Sequence, residues 1–241
     1  MHQKKFREKY GEYLVEGEKG VMEAISGSSE VIMLVIEEKM EKDYEKMLNL
    51  AKNKGISVGK SDKKQAQKIK TTETFPGVLA IVKAEKRSVS DLENGKPVIC
   101  LDRISDPGNL GTIIRTANWF GINNILISEG SVEARNEKVV RSSMGSFFHV
   151  DIVETNDVKK DLKKLKEGGY KLFGLDLKGR KISNTEKLDK KAVYIFGNES
   201  HGLADEIENM LDARYTIEGS GEAESLNIGV SAGIVFFNMQ S

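Results

Sequence analysis

Leu101–Ser128, LDRISDPGNLGTIIRTANWFGINNILIS, is the stretch whose reading decides the fold. The apolar strand Val98–Leu101 runs into Asp106-Pro107-Gly108, a turn in which proline presets the backbone and glycine frees it. A helix from about Leu110 to Phe120 follows, halted at Gly121, and Asn124–Ile127 is a second short apolar strand. Neither strand alternates polar with apolar residues, the pattern of strands buried on both faces of a parallel sheet. Toward the C-terminus the alternation continues: helices near Glu137–Met144 and Val158–Glu167, strands at Leu172–Leu175 and Val193–Phe196, and a helix after Gly202. A strand near Arg214–Ile217 and a last helix from Asn227 complete it. Strands separated by helices predict an α/β fold with a mainly parallel sheet covered on both faces.

Working toward the N-terminus, a smaller α/β pattern appears. Tyr13–Glu16, Val31–Ile36, Ser57-Val58 and Val78–Val82 read as strands, with helices at Glu18–Ser26, Glu41–Lys54 and Ser61–Lys70. Between the two patterns, AEKRSVSDLENG is polar and lacks a sustained apolar period. The expected organisation is therefore an N-terminal domain at 1–83, a linker at 84–96 and a second domain at 97–241. A length of 241 residues suits two domains, each able to bury its own core without metal or disulfide staples.

Composition removes several classes. Hydrophobic content of 39% excludes wholesale disorder, and the longest apolar run, Val31–Ile36, is far short of the ~20 residues of a membrane span. The charged N-terminus has no apolar stretch behind it, so no signal peptide is expected and the cytoplasm is the expected location, with no membrane partner. Three scattered histidines (His2, His149, His201) and one cysteine, Cys100, predict no metal site and no internal disulfide. Cys100 sits in an apolar strand, where inert packing is expected. Gly59-Lys60-Ser61 resembles the end of a phosphate-binding P-loop, but the required earlier glycine position holds Lys54. Gly219-Ser220-Gly221 runs on to Glu224, so the dinucleotide fingerprint is absent too.

Net charge is zero overall, with 18 basic against 16 acidic residues up to Gly95 and 19 against 21 after it. Locally, residues 52–70 carry seven lysines and one acid, Asp62. Such a run is either a solvated helix face or a phosphate-contacting surface, with Lys60, Lys63, Lys64 and Lys68 as its RNA-contact candidates.

Three segments of the second half carry chemistry. In the first, Asn109 stands at the helix start, where it could simply cap the helix. Arg115 follows Ile113 and Ile114 in an otherwise apolar helix, so its charge is expected to need a partner. In the second, AVYIFGNESHGL, an apolar strand ends in a glycine-bounded polar loop, the place where parallel α/β sheets bind ligands. In the third, ESLNIGVSAGIVFFN, Ser225 and Asn227 precede a helix rich in small residues, which implies close packing.

Together these segments resemble the SpoU (TrmH-like) family of the SPOUT superfamily, RNA 2′-O-ribose methyltransferases that use S-adenosylmethionine. The pattern N-x-G-x-x-x-R is met by Asn109, Gly111 and Arg115, FGNE-x-x-GL by Phe196–Leu203, and SLN by Ser225-Leu226-Asn227. In the first half, FREKYGEYLVEGEKGVMEA and FPGVLAIV are similar to the family's substrate-binding domain. The resemblance implies a small RNA-binding α/β domain, then a SPOUT-type α/β domain with a C-terminal trefoil knot, and a homodimer through the catalytic domain. It assigns donor contacts to Leu175, Phe196, Gly197, Asn198, Glu199, Gly202, Ile217, Leu226 and Asn227. Arg115 is the catalytic residue it implies, with Asn109, Glu199, Ser225 and Asn227 holding Arg115 and the ribose. A guanidinium stays protonated at neutral pH, so Arg115 is better suited to binding the neighbouring phosphate and orienting the hydroxyl than to acting as a base. Arg141, in KVVRSSMGS, is either a further RNA contact or a surface ion pair.

The implied activity is S-adenosylmethionine-dependent methylation of ribosomal RNA, with transfer RNA second. A noncatalytic RNA-binding protein of the same fold and a small-molecule methyltransferase are the alternatives. The presence of Arg115, Glu199 and Asn227 weighs against the first, and the basic first half against the second.

Overall fold

The computed structural model describes residues 3–69, 75–182, 188–198 and 201–240. In chain order its elements are α1 (Lys4–Tyr10), β1 (Glu12–Glu16), α2 (Glu18–Ser26), β2 (Val31–Glu37), α3 (Glu45–Asn53), β3 (Ser57–Ser61), α4 (Lys63–Ile69) and β4 (Val78–Lys83). There follow β5 (Val98–Leu101), α5 (Pro107–Trp119), β6 (Asn124–Ile127), α6 (Glu137–Ser142), β7 (Asp151–Glu154), α7 (Val158–Glu167) and β8 (Lys171–Lys181). The chain closes with β9 (Ala192–Phe196), α8 (Asp205–Glu208), β10 (Ala213–Thr216) and α9 (Ile228–Asn238).

Two compact units form. The first combines the chain up to Glu85 with Arg135–Phe148; the second combines Lys86–Ala134 with the chain from His149 onward. The first unit has a four-stranded sheet ordered β1-β4-β2-β3, in which β2 and β3 run parallel and the other neighbours antiparallel. Its core joins Val15, Leu34, Ile36 and Val78 of the sheet to Val21 and Ile25 of α2 and Met47 of α3. Val140 of α6 belongs to the same core, and the Phe147 ring lies 5.7 Å from that of Tyr13. Residues 135–148 are thus part of the first unit's packing although they lie far along the 97–241 segment. A six-residue helix with two buried valines reads the same whichever core takes it.

The second unit has a six-stranded sheet ordered β10-β8-β9-β5-β6-β7 with every neighbouring pair parallel. Its faces are covered separately, as the strand alternation requires. Val193 and Ile195 of β9 share a core with Leu162 and Leu165 of α7, whereas the Phe196 ring meets Phe236 of α9 edge-on at 6.1 Å. Cys100 is fully buried, and that burial pushes its thiol far above the ordinary value, which suppresses the reactive thiolate.

Three departures from the sequence reading have simple causes. Strand β7 is not apparent in the sequence because DIVE offers only two apolar residues between acids. The polar stretch at 84–96 contains a 3₁₀ turn, Val89–Leu92, closed by a reciprocal Ser88–Asp91 cap. Val89 and Leu92, three residues apart, are buried in the second unit's core, so this stretch is partly core rather than linker. Finally, α5 begins at Pro107, with Asp106 accepting the Asn109 N–H at 2.7 Å. Asp106 is the cap, and Asn109 lies inside the first turn.

Candidate active site

In a parallel sheet neighbouring strands end on one side, and the ends of β8, β9 and β10 enclose a cavity of about 370 Å³. Leu175 and Asp176 of β8, Phe196–Asn198 at the end of β9, Tyr215–Ile217 at the end of β10, and Ser225, Leu226 and Ile228 before and in α9 all line it. The β8 wall exists because the ladder is interrupted. Consecutive residues Arg214 and Tyr215 pair with Gly174 and Arg180, so the intervening chain bulges out and presents Leu175, Asp176 and Leu177. A Cβ at Gly179 would lie 2.4 Å from the Tyr215 carbonyl carbon, so only glycine lets the two strands close again.

The β9 wall is equally tight. Asn198 and Gly202 form an antiparallel bridge with backbone hydrogen bonds of 3.0 and 2.9 Å. A Cβ at Gly197 would sit 2.4 Å from the Gly202 carbonyl carbon, so no side chain fits there either. Two carboxylates at the cavity, Asp176 and Glu208, accept hydrogen bonds from the two terminal nitrogens of Arg214 at 3.1 and 2.9 Å.

At the head of α9, Asn227 caps its helix by accepting the Gly229 N–H at 2.9 Å, while its Nδ2 donates to Asn109 Oδ1 at 3.0 Å. Residues 118 positions apart are thereby tied together. The helices can approach this closely because Gly229 and Gly233 face Thr112 and Thr116 of α5. The small-residue helix expected from the sequence therefore packs on α5.

Residues 96–237 match the SpoU rRNA Methylase family. The chain belongs to this family. Residues 1–80 match an MRM3-like substrate binding domain. A 23S rRNA (guanosine(2553)-2′-O)-methyltransferase, RlmP of Bacillus subtilis, is 29% identical over 100% of this chain and 93% of its own. RlmB of Neisseria meningitidis, a 23S rRNA (guanosine-2′-O-)-methyltransferase, is 27% identical over 85% of each chain. An AdoMet-bound rRNA methyltransferase from Sinorhizobium meliloti superposes with a TM-score of 0.87 at 28% identity, covering 99% of this chain and 90% of that one.

Among the SpoU positions expected to hold the donor, Leu175, Phe196, Gly197, Asn198, Gly202, Ile217 and Leu226 all line the cavity. Asn227 stands just outside it, and Glu199 lies outside the described residues. Ser225 lines the cavity and is exposed. Arg115 does not line it. The helical turn carries Arg115 past the buried Ile113 and Ile114 to the surface, where it is exposed and makes no hydrogen bond or ion pair among the described residues. Arg141 packs with the first unit, partly buried on α6. Lys63, Lys64 and Lys68 are exposed on α4, whereas Lys60 on β3 is hydrogen-bonded to Glu41 at 2.7 Å, which raises its pKa. Sequence reasoning missed Asp176, Tyr215, Ile228 and Ser231 at the cavity. Only their nearness to Leu175, Ile217 and Asn227 in the chain could have hinted at them. No group of metal-binding side chains occurs among the described residues.

Proposed function

We propose that this chain methylates a ribose 2′-hydroxyl of RNA with S-adenosylmethionine as donor, ribosomal RNA being the first substrate to test and transfer RNA the second. The observation that carries the reading is the cavity at the ends of β8, β9 and β10, lined by the SpoU positions and adjoining the Asn109–Asn227 bond. Its wall chemistry suits the donor. Leu175, Phe196, Ile217 and Leu226 offer apolar surface to a flat base, and Thr216 and Ser225 add polar side chains to the lining. The donor supplies an electrophilic methyl group on a sulfonium.

The chain's own residues have the remaining tasks. Arg115 is exposed, and its guanidinium can hold the phosphate beside the target ribose by paired hydrogen bonds and so orient its hydroxyl. Asn109 and Asn227 position one another at the helix heads, and Ser225 adds a hydroxyl at the cavity mouth. Glu199 keeps the role that the family pattern implies, holding Arg115 and the ribose and contacting the donor. Lys60, Lys63, Lys64, Lys68 and Arg141 serve as phosphate contacts, of which the three α4 lysines are the most accessible.

The assembly we assign is a cytoplasmic homodimer through the catalytic half. Trp119, Phe237 and Val230 on α5 and α9 are 83%, 64% and 52% exposed, more apolar surface than a lone subunit ordinarily leaves open. No described helix is long and apolar enough to cross a membrane. A trefoil knot is supported by the path of the chain: β10 pairs outside β8 at the sheet edge, α9 packs on α5, and the stretch between them returns across the cavity. We further propose substrate binding for 1–83 and catalysis for 97–241, joined by 84–96, with residues 135–148 packed in the first unit. The test is methyl transfer to ribosomal RNA from cells lacking this protein, followed by mapping of 2′-O-methyl sites. A new site in ribosomal RNA supports the reading; no transfer to ribosomal or transfer RNA overturns it.

A further inference from the structure

We infer that Arg103 is a positioning residue that clamps the Asn198–Gly202 bridge and so fixes one wall of the cavity; its consequence for ligand affinity rests on the donor reading given above. Arg103 follows β5 with φ of +57°, a left-handed conformation that among the described non-glycine residues is shared only with Met144. An arginine held there is disfavoured unless its surroundings require it. Here three independent bonds do. The Arg103 N–H donates to Ser128 Oγ at 2.8 Å, which turns the adjoining peptide. The Arg103 carbonyl accepts from Asn198 Nδ2 at 2.9 Å, and its guanidinium Nη2 donates to the Gly202 carbonyl at 3.1 Å. One residue thus binds both strands of the bridge.

Asp102 completes the arrangement from below. Its side chain is 3% exposed and accepts from Ser128 Oγ at 3.0 Å, Arg103 Nε at 3.1 Å and the Ala204 N–H at 3.3 Å. Its own N–H donates to the Phe196 carbonyl at 2.8 Å. The chain is therefore held at Phe196, Asn198, Gly202 and Ala204 by two consecutive residues just past the end of β5. A wall held in place before the ligand arrives loses less conformational freedom on binding, so its bonds appear as affinity.

Arg103→Gly separates this role from bulk stability. Glycine relieves the left-handed strain and keeps the carbonyl that Asn198 uses, while deleting the guanidinium. The thermal midpoint is expected to change little, relief of the left-handed strain offsetting loss of the guanidinium's ion pair with the buried Asp102. Calorimetric titration with S-adenosylhomocysteine is expected to show roughly tenfold weaker binding, the scale of one charge-assisted hydrogen bond removed. Amide exchange in peptides covering Asn198–Ala204 is expected to accelerate without ligand, and Arg103→Lys, which keeps the charge but not the planar fork, should fall between. Wild-type affinity in Arg103→Gly overturns the proposal. Should wild type itself take up no S-adenosylhomocysteine, the donor reading fails and exchange alone judges the clamp: unchanged exchange in Arg103→Gly overturns it, faster exchange supports it.

Discussion

Around the cavity, position is enforced at close range: Gly197 and Gly179 admit no side chain, Asn227 is bonded to Asn109, and Asp102 and Arg103 hold the bridge beside them. On α4, Lys63, Lys64 and Lys68 stand exposed on a short helix at the edge of a small mixed sheet. On the proposed function, the difference follows from what each surface would handle. A methyl transfer needs reacting atoms in line, where small displacements are costly, so the groups around the donor are fixed by covalent geometry and short hydrogen bonds. A polyanion is held by charge summed over many phosphates, and long lysine side chains serve that purpose without exact placement.

On this contrast Arg115→Ala should have the largest effect. Arg115 stands outside the cavity, so donor affinity should stay near wild type while single-turnover methyl transfer falls by roughly 10²–10⁴-fold, the range for removing a group that acts at the reacting centre. Equal turnover would remove Arg115 from the mechanism. Gly197→Ala probes the enforced side directly. The added methyl meets backbone rather than a movable side chain, so about 1–3 kcal/mol of stability should disappear along with donor binding. Chemical denaturation and calorimetry would check it, and an unaffected variant would show the bridge to be pliable.

Asn227→Ala should cost about 1 kcal/mol through removal of its helix cap, measurable by denaturation. Its effect on turnover should exceed that of an ordinary cap, because Asn109 is deprived of its partner as well. Smallest per residue is the effect of neutralising Lys63, Lys64 and Lys68: RNA affinity should weaken, and the log–log salt slope should fall by roughly 0.7–0.9 for each phosphate that the variant no longer neutralises. Turnover at saturating RNA should persist. Lys60→Ala should change the slope less, since Glu41 already competes for that ammonium group. An unchanged slope in the triple variant would make α4 an ordinary solvated face.

Much of the catalytic half is legible because its signals are local. Short unbroken apolar runs such as Val98–Leu101 and Val193–Phe196 read as strands buried on both faces, because the turn and glycine-bounded loop after them mark strand ends. The candidate positions from Leu175 to Leu226 are legible through motif residues, and most of them line one cavity. Asp106 reads first as ordinary turn chemistry, although an aspartate before Pro-Gly with a free N–H three residues on is a cap in its own right. The surface position of Arg115 is also within reach of the sequence, because a helix advancing 100° per residue carries the residue after two buried ones toward solvent.

By itself, the sequence determined the α/β class, the parallel order of alternation and the residues whose spacing matches the SpoU pattern, since each depends on neighbours a few positions apart. Tertiary structure alone decided which core receives α6, why 84–96 is anchored, and how Arg214 and Tyr215 reopen β8 into a cavity wall. It also brought Asn109 to Asn227 and Arg103 to Gly202, pairs separated by about half the chain. Such pairings depend on the packing of whole sheets and helices, and no periodicity within a short window encodes the distance at which two remote residues finally meet.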